Sequence, residues 1–295
     1  MNTMKIGLAA PFGNSAGRDI DFLVDYAQAI EQIGFNSLWL PEHVVFFAPE
    51  FYQSKYPYTE GGEPPWKDVT GVFDPLLLAA VAARATTTLR FSTSVLILPQ
   101  RPALLTAKEV MTLDHIAKGR FEFGVGGGWS AEEYAALGVS FARRGKRFDE
   151  YIAAIKAVWQ CDKASFNGEF VAFNDAIILP KPYTEGGPPF LIGGDSDAAM
   201  KRAARIGDGW YGWWANYELE PHLDKLRAHL THYGRDTDGD FHLKLGIPFN
   251  GTPDQLSAKI DEARRLGVEE FVLSLPISSK NLQADLELWS QAAGI

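Results

Sequence analysis

The chain has 295 residues, of which 46% are hydrophobic and 22% charged, with a formal net charge of -9 at pH 7. This is globular composition with apolar mass for one large core, and the acidic balance argues against nucleic acid or an anionic membrane as a partner. The single cysteine, Cys161, excludes an intramolecular disulfide and CxxC-type metal sites, so no metal is expected.

The N-terminus, MNTMKIGLAAPFG, has one lysine and a short apolar run before Pro11, which is not a signal-peptide pattern. No apolar run approaches a membrane span, and a cytoplasmic location is expected. Residues 4–10 read as a short apolar strand. The next segment places Ile20, Leu23, Val24, Ala27, Ile30 and Ile33 at helical spacing, with Gly34 as the stop. FNSLWLP is a second strand. After an interruption comes DPLLLAAVAARAT, a helix with Asp74 as N-cap and Pro75 in its first turn. LRFSTSVLIL is a third strand and ALLTAKEVMTLDHIAKG the helix after it. RFEFGVGGG and GKRFDEYIAAIKAVWQ repeat the pair. PFLIGG, DGWYGWW, FHLKLGIPF and VEEFVLSLP complete the strands, each followed by a helical pattern.

Eight alternating strand–helix units with continuous apolar strands predict a parallel sheet covered on both faces. In fewer than 300 residues they suit a closed (β/α)8 TIM barrel, a single domain over 1–295. Two segments break the rhythm. Residues 44–72 follow the second strand, and residues 164–188 read as a small hairpin before the fifth.

In such a barrel the active site lies where strands end. Those ends carry Ala10-Pro11-Phe12, Pro41-Glu42-His43, Ser94 to Pro99, Gly126 to Trp129, Gly193 to Ser196, Trp210 to Trp214, Pro248-Phe249 and Leu275-Pro276. The set is rich in glycine and aromatic residues and poor in acid–base groups, which suits a flat cofactor that carries the chemistry itself. GVGGGW fails as a dinucleotide fingerprint, because the third glycine of GxGxxG would fall at Trp129. IGGDS opens a helix and reads either as a phosphate-binding turn or as a plain turn with Asp195 or Ser196 as N-cap. His222, His229 and His232 share a helix face and read as solvated. ARRGKRFDEY is the densest basic run and reads either as a solvated helix start or, because basic charge at a helix N-terminus opposes the dipole, as an anion contact through Arg143, Arg144 or Arg147 for a phosphate or an acidic cofactor tail. The aromatics of the 44–72 insertion predict a lid or pocket wall for an apolar or aromatic substrate.

SLWLPEHVV, TSVLILPQRPALLTAKEVMTLDHIAKGRFEFGVGGGW, RFDEYI, LPKPY, PFLIGG and ARIGDGWYGW together resemble the bacterial luciferase-like flavin oxidoreductase superfamily, over nearly the whole chain. WLPEH and TSVLILPQRP look most like its branch that uses coenzyme F420, an 8-hydroxy-5-deazaflavin. The resemblance implies a non-prolyl cis peptide at Ser94–Val95, within a bulge pressed against the flavin. It implies His43 and Glu42 as catalytic residues at the reactive edge of the cofactor. Gly127 and Gly128 would pass the ribityl chain, and Gly193, Gly194 and Ser196 would meet the phosphate. Phe47, Trp129 and Trp213 would line the substrate. Trp129 stands where the sugar-phosphate dehydrogenase subgroup has a glutamate, which argues against a glucose-6-phosphate substrate. The implied function is hydride transfer between reduced deazaflavin and a small organic molecule. The alternatives are an FMN-dependent monooxygenase served by a separate flavin reductase, and a flavin-binding protein without catalysis. No second domain for a nicotinamide is apparent. A homodimer is the expected assembly.

Overall fold

The structure, a computed structural model, describes residues 4–11, 19–66, 71–237, 239 and 241–295. Phe12 and residues 67–70 of the first insertion lie outside the described residues. The barrel strands are β1 (Lys5–Ala9), β2 (Ser37–Leu40), β3 (Arg90–Thr93) with its continuation β4 (Leu96–Ile97), β5 (Phe121–Gly126), β8 (Phe190–Gly193), β9 (Gly209–Trp213), β10 (His242–Pro248) and β11 (Glu270–Ser274). All pair in parallel, in the order β3-β2-β1-β11-β10-β9-β8-β5-β4, and β3 also pairs with β5, which closes the ring. The predicted single-domain (β/α)8 barrel is the fold observed.

The helices are α1 (Ile20–Ile33), α2 (Pro75–Ala85), α3 (Ala103–Ala117), α4 (Ala131–Ala136), α5 (Arg144–Gln160), α6 (Asp197–Ile206), α7 (Leu219–His232), α8 (Pro253–Arg265) and α9 (Leu282–Ala293). Asp19 caps α1 through the N–H groups of Asp21 and Phe22, and Gly34 ends that helix in the left-handed region at φ 109°. Asp74 caps α2 in the same manner, with Pro75 where its missing N–H costs nothing. The hairpin precedes β8 as β6 (Ala164–Asn167) and β7 (Ala172–Ala176). It leans on α5, where the Glu150 carboxylate accepts from the N–H groups of Glu169, Phe170 and Val171.

Two expectations change. The third strand is not continuous from Leu89 to Leu98: it stops at Thr93 and resumes at Leu96, and the intervening Ser94–Val95 bond is cis, the bond that the resemblance implies. A 3-10 turn, Leu98–Gln100, follows at once. The connection after β5 also holds a helix, α4, that the apolar periodicity does not announce.

A closed barrel of eight strands has little internal volume, and its inward residues divide it into levels. At the floor Lys244 of β10 is 1% exposed, and its ammonium meets Glu122 of β5 at 2.5 Å and Glu270 of β11 at 2.9 Å. Glu270 also accepts from Asn36 at 2.7 Å and from the Ser37 hydroxyl, and Glu122 accepts from Arg90 at 3.0 Å. Above the floor Trp39 and Tyr211 stack at 4.5 Å between ring centres. Glycines make room for them: a Cβ on Gly7 would meet Ser37 and the Trp39 indole, and one on Gly246 would meet the Tyr211 hydroxyl and Trp213.

Burial pulls the Lys244 ammonium down, but the charges of Glu270 and Glu122 more than offset it and hold its pKa above the ordinary lysine value. Burial pushes Glu270 up, and Lys244 with the Ser37 and Asn36 donors holds it below the ordinary value. Removing one partner from such a network leaves buried charge uncompensated. Lys244→Met is expected to cost about 3–5 kcal/mol in urea denaturation, with much of the loss recovered when Glu122→Gln and Glu270→Gln are added. A neutral Lys244→Met would show that the network contributes nothing to stability.

Candidate active site

Strand β2 delivers Pro41-Glu42-His43 to the barrel mouth, and the two titratable neighbours part ways there. Glu42 turns inward and is 5% exposed. Its carboxylate accepts from the Ile97 N–H at 2.5 Å and from Arg101 Nε and Nη2 at 2.8 and 2.6 Å. Arg101 also bonds Asp74, the cap of α2. Burial pushes the Glu42 carboxyl upward against the pull of Arg101 and the Ile97 N–H. Glu42 therefore holds the backbone after the cis bond. The acid beside His43 in space is Glu133 of α4, whose Oε2 lies 3.0 Å from His43 Nδ1. Sequence reasoning missed Glu133. The available signal was Ser130-x-x-Glu133, a capping-box spacing; Ser130 does cap α4, through the Glu133 N–H.

Residues 44–66 of the first insertion cross the mouth as a strap anchored on both sides. On one side Glu133 Oε1 accepts from the N–H groups of Val44 and Val45, and Glu132 from those of Gln53 and Ser54. The Ser54 hydroxyl accepts from the Ala131 N–H. On the other side the Tyr58 carbonyl accepts from Asn216 at 2.8 Å, and the Tyr58 ring meets Trp213 edge to face at 6.5 Å. Beneath the strap His43 lies 5.0 Å from Phe46, 5.9 Å from Trp66 and 6.0 Å from Trp129 between ring centres. Tyr52 and Tyr56 pack on Trp129 at 5.1 and 5.2 Å. Trp129 is thus brought to His43. Phe47 is not: it packs on Phe51 and Tyr52, and its neighbour Phe46 takes the place beside His43. Trp213 joins Val95 around the buried rings of Trp39 and Tyr211.

The hydroxyl row of β3 serves the break in the strand. Thr93 donates to the Gly124 carbonyl at 2.5 Å, and Ser92 to the Thr93 carbonyl. The Ser94 N–H donates to the Leu40 carbonyl, and its side chain faces the Tyr211 hydroxyl. Val95 then points across the mouth into two gaps left by glycines. A Cβ on Gly126 would come within 2.5 Å of Val95 Cγ2, and one on Gly193 would strike Val95 Cγ1. So Gly193 is a glycine because of Val95, a reason internal to the protein. Gly127 and Gly194 differ. Space is open beside Gly127, and Gly194 sits at φ 117°, in the region that favours glycine. Strands β5 and β8 are neighbours, so these two turns lie side by side. Gly128 bends at φ 64° beneath Ile97.

The basic run divides as well. Arg147 is 8% exposed, donates to the Ser140 carbonyl at 2.7 Å and lies over Phe170 of the hairpin. Arg143 and Lys146 pair with Glu169. Arg144 is the member that reaches the glycine turn, through Nε to the Gly128 carbonyl at 3.2 Å. Ser196 is the N-cap of α6, its hydroxyl accepting from the Ala199 N–H at 3.2 Å. Asp195 points elsewhere, accepting from the Trp213 N–H at 3.1 Å and the Tyr217 hydroxyl at 3.2 Å. His222 stacks on Tyr217 at 3.9 Å rather than facing solvent, whereas His229 pairs with Asp197. Burial raises the Asp195 carboxyl to about 7, against the pull of the Trp213 and Tyr217 donors. Burial lowers His222, which keeps it neutral beside Asp195.

Residues 4–250 match a family described as luciferase-like monooxygenase. An uncharacterized protein of Mycobacterium bovis is 34% identical over 226 residues, covering 76% of this chain and 77% of that one. The FMNH(2)-dependent dimethylsulfone monooxygenase of Pseudomonas fluorescens is 30% identical over 266 residues, covering 84% of this chain and 67% of that enzyme. Among solved structures, an F420-dependent secondary alcohol dehydrogenase in complex with an F420-acetone adduct matches with a TM-score of 0.76 at 18% identity over 99% of both chains, a likeness of fold.

Two outcomes are expected from this geometry. Gly193→Ala should destabilise by about 1–3 kcal/mol through overpacking, and Val95→Ala should relieve most of that loss in the double variant. Strictly additive costs would mean that the two side chains do not compete. The second concerns pH. Asp195 titrates at about 7 in the folded chain against an ordinary 3.8. The folded state therefore binds the extra proton, and this stabilisation is complete below about pH 4 and lost as pH rises through 7. Between about pH 5 and pH 8, Asp195→Asn should flatten the fall in melting temperature, a relative gain on the order of 1–3 kcal/mol. Parallel curves for the two proteins would remove Asp195 as the cause.

Proposed function

The chain belongs to the luciferase-like monooxygenase family, whose members are oxidoreductases, and from that premise we propose that it is an F420-dependent oxidoreductase. Its substrate on this reading is a small apolar or aromatic organic molecule, and His43 moves the proton that accompanies hydride transfer. The observation that carries the proposal is the placement of His43: a strand-end imidazole enclosed by Phe46, Trp66 and Trp129, with one ring nitrogen held by a buried carboxylate.

The residues at the mouth fit a flat, phosphate-bearing cofactor. Gly127 faces open space and Gly194 takes a positive φ beside it, so the backbone there admits close approach. Arg144 supplies a cation at the same turn. The Trp129 indole N–H is buried without a hydrogen-bond partner among the described residues, a donor suited to a bound ligand. When bound, the deazaflavin would supply the hydride. The protein would do the rest: the Val95 bulge and the glycine turns would seat the ring, and the strap would exclude water. The aromatic walls would select an apolar substrate, and His43 would give or take a proton at the substrate atom beside it. Among the described residues no pair of carboxylates hydrogen-bonded to each other stands at the mouth, which agrees with chemistry carried by a cofactor.

The 30% identity to an FMNH(2)-dependent monooxygenase favours a second reading, FMN with oxygen and a separate flavin reductase. Titration with F420 and FMN, followed by absorption and fluorescence, separates the two. Tight binding of F420 and hydride transfer without oxygen uptake are expected; tight binding of FMN alone, with oxygen consumption, would overturn the F420 assignment. With the cofactor that binds, His43→Ala should slow single-turnover transfer by about 10²–10⁴-fold while cofactor affinity changes much less. Unchanged transfer in His43→Ala would remove the proton-moving role.

A further inference from the structure

We propose that Glu133 is a positioning residue that fixes the tautomer of His43 and couples it to the seating of the strap. A glutamate at the third position of a helix commonly turns back to the N-cap N–H. Glu133 stands at that position in α4 and does not turn back; its carboxylate reaches out to residues 43–45. The residue is 1% exposed, so each oxygen must find its partners within the protein. Oε1 takes the backbone N–H groups of Val44 at 2.7 Å and Val45 at 3.3 Å, and Oε2 takes His43 Nδ1 at 3.0 Å.

An ionised carboxylate only accepts hydrogen bonds. Burial pushes the Glu133 carboxyl up, but the His43 contact and the two N–H groups more than offset it and hold it below the ordinary value, so it is ionised near neutral pH. Nδ1 of a neutral His43 must then carry the proton. Nε2, for which no hydrogen bond to the described residues is seen, is left with a lone pair able to accept. In its neutral form His43 is therefore a proton acceptor at Nε2, and it becomes a donor there only once doubly protonated. Because Oε1 is tied to the first residues of the strap, lifting the strap and releasing the imidazole disturb the same carboxylate. Glu132, next in sequence, grips Gln53 and Ser54 and has no contact with His43, which makes it the control for strap anchoring alone.

The catalytic consequence rests on the reading of His43 given above, but the tautomer does not. The test is the 15N spectrum of the His43 imidazole in cofactor-free protein, assigned with His43→Gln and recorded above the imidazole titration. The wild type should show the Nδ1–H tautomer; the Nε2–H tautomer there would overturn the proposal without recourse to any variant. In Glu133→Gln the amide oxygen can stay with Val44 and Val45 only by turning its NH₂ toward Nδ1. His43 should then switch to Nε2–H, and an unchanged tautomer in the folded variant would also overturn the proposal. Exchange of amide hydrogens at Val44 and Val45 should rise at least about tenfold in Glu133→Ala and stay unchanged in His43→Gln; unchanged protection in Glu133→Ala would remove the coupling to the strap. Replacing an acid by its amide beside a catalytic imidazole can cost about 10⁴-fold in turnover through the wrong tautomer alone. Glu133→Gln should accordingly slow turnover strongly in the wild-type background and little in the His43→Gln background. Equal losses in both backgrounds would make Glu133 merely structural. A tautomer switch without any loss of turnover would leave the positioning intact and would instead count against His43 as the proton-moving residue.

Discussion

A buried lysine between two buried glutamates sets the terms on which this barrel closes. Lys244, Glu122 and Glu270 come from three strands, and Ser37 and Arg90 bring in two more. An ion cluster at that depth is costly to desolvate and tolerates little misplacement. Each member is satisfied only when the registers of its strand neighbours are correct, because a slip of one residue would turn its side chain outward. In the observed register Lys244 stands beside both Glu270 and Tyr211, while Ser37 and Arg90 are paired neighbours. The cluster thus ties strand register to electrostatics at the end of the barrel away from the candidate site.

The levels above follow from that register. With charged groups on the floor, the next inward positions carry Trp39 and Tyr211, and a closed barrel accommodates two such rings only if facing positions are empty. Gly7 and Gly246 are those empty positions. At the mouth the relation is repeated with smaller partners, as Val95 fills the gaps at Gly126 and Gly193. Glycine in the middle of a strand ordinarily weakens it. Here each such glycine answers a particular neighbour, and the outcome is a closed, packed platform at the height where strands end and loops begin. At the mouth the glycines that turn the backbone or leave space beside it come beyond this platform, at Gly127, Gly128 and Gly194.

The barrel was legible in the sequence because its signals are local: apolar runs for strands, Asp19 and Asp74 at helix starts, Gly34 at a helix end. The long aromatic insertion and the strand-end position of His43 were legible for the same reason. What escaped was decided by contacts distant in sequence. Glu42 and His43 are adjacent, yet alternation along an extended segment sends them in opposite directions. Their partners, Arg101 and Glu133, lie 59 and 90 residues away. Nothing near Lys244 in the sequence reveals that Glu122 faces it across the barrel. Arg147 read as an anion contact from charge alone, whereas the hairpin supplies Phe170 to cover it. Asp195 was read as a possible helix cap. Ser196 takes that task, and Asp195 is buried against Tyr217, a residue of the next strand–helix connection.

Two acids on one side of the mouth divide the work of organising it, and the division follows from what each can reach. Glu42 is held by a guanidinium, which delivers two hydrogen bonds to one carboxylate oxygen and does not give up its proton, while the other oxygen holds the Ile97 N–H in place. Glu133 is held by an imidazole and two peptide N–H groups, and the imidazole is the partner that can take up and hand on a proton. Exchange the two environments and the chemistry would be lost, because an arginine on Glu133 would leave His43 without a partner to orient it. The helix that presents Glu133 is only six residues long, Ala131–Ala136, and two of its glutamates are spent on the strap. A short helix stabilised chiefly through what it binds is well placed to register whether the strap is seated. The rigid part of the site therefore descends through Glu42 and Val95 into the barrel, and the responsive part passes through Glu133 into the insertion, with His43 at the point where the two meet.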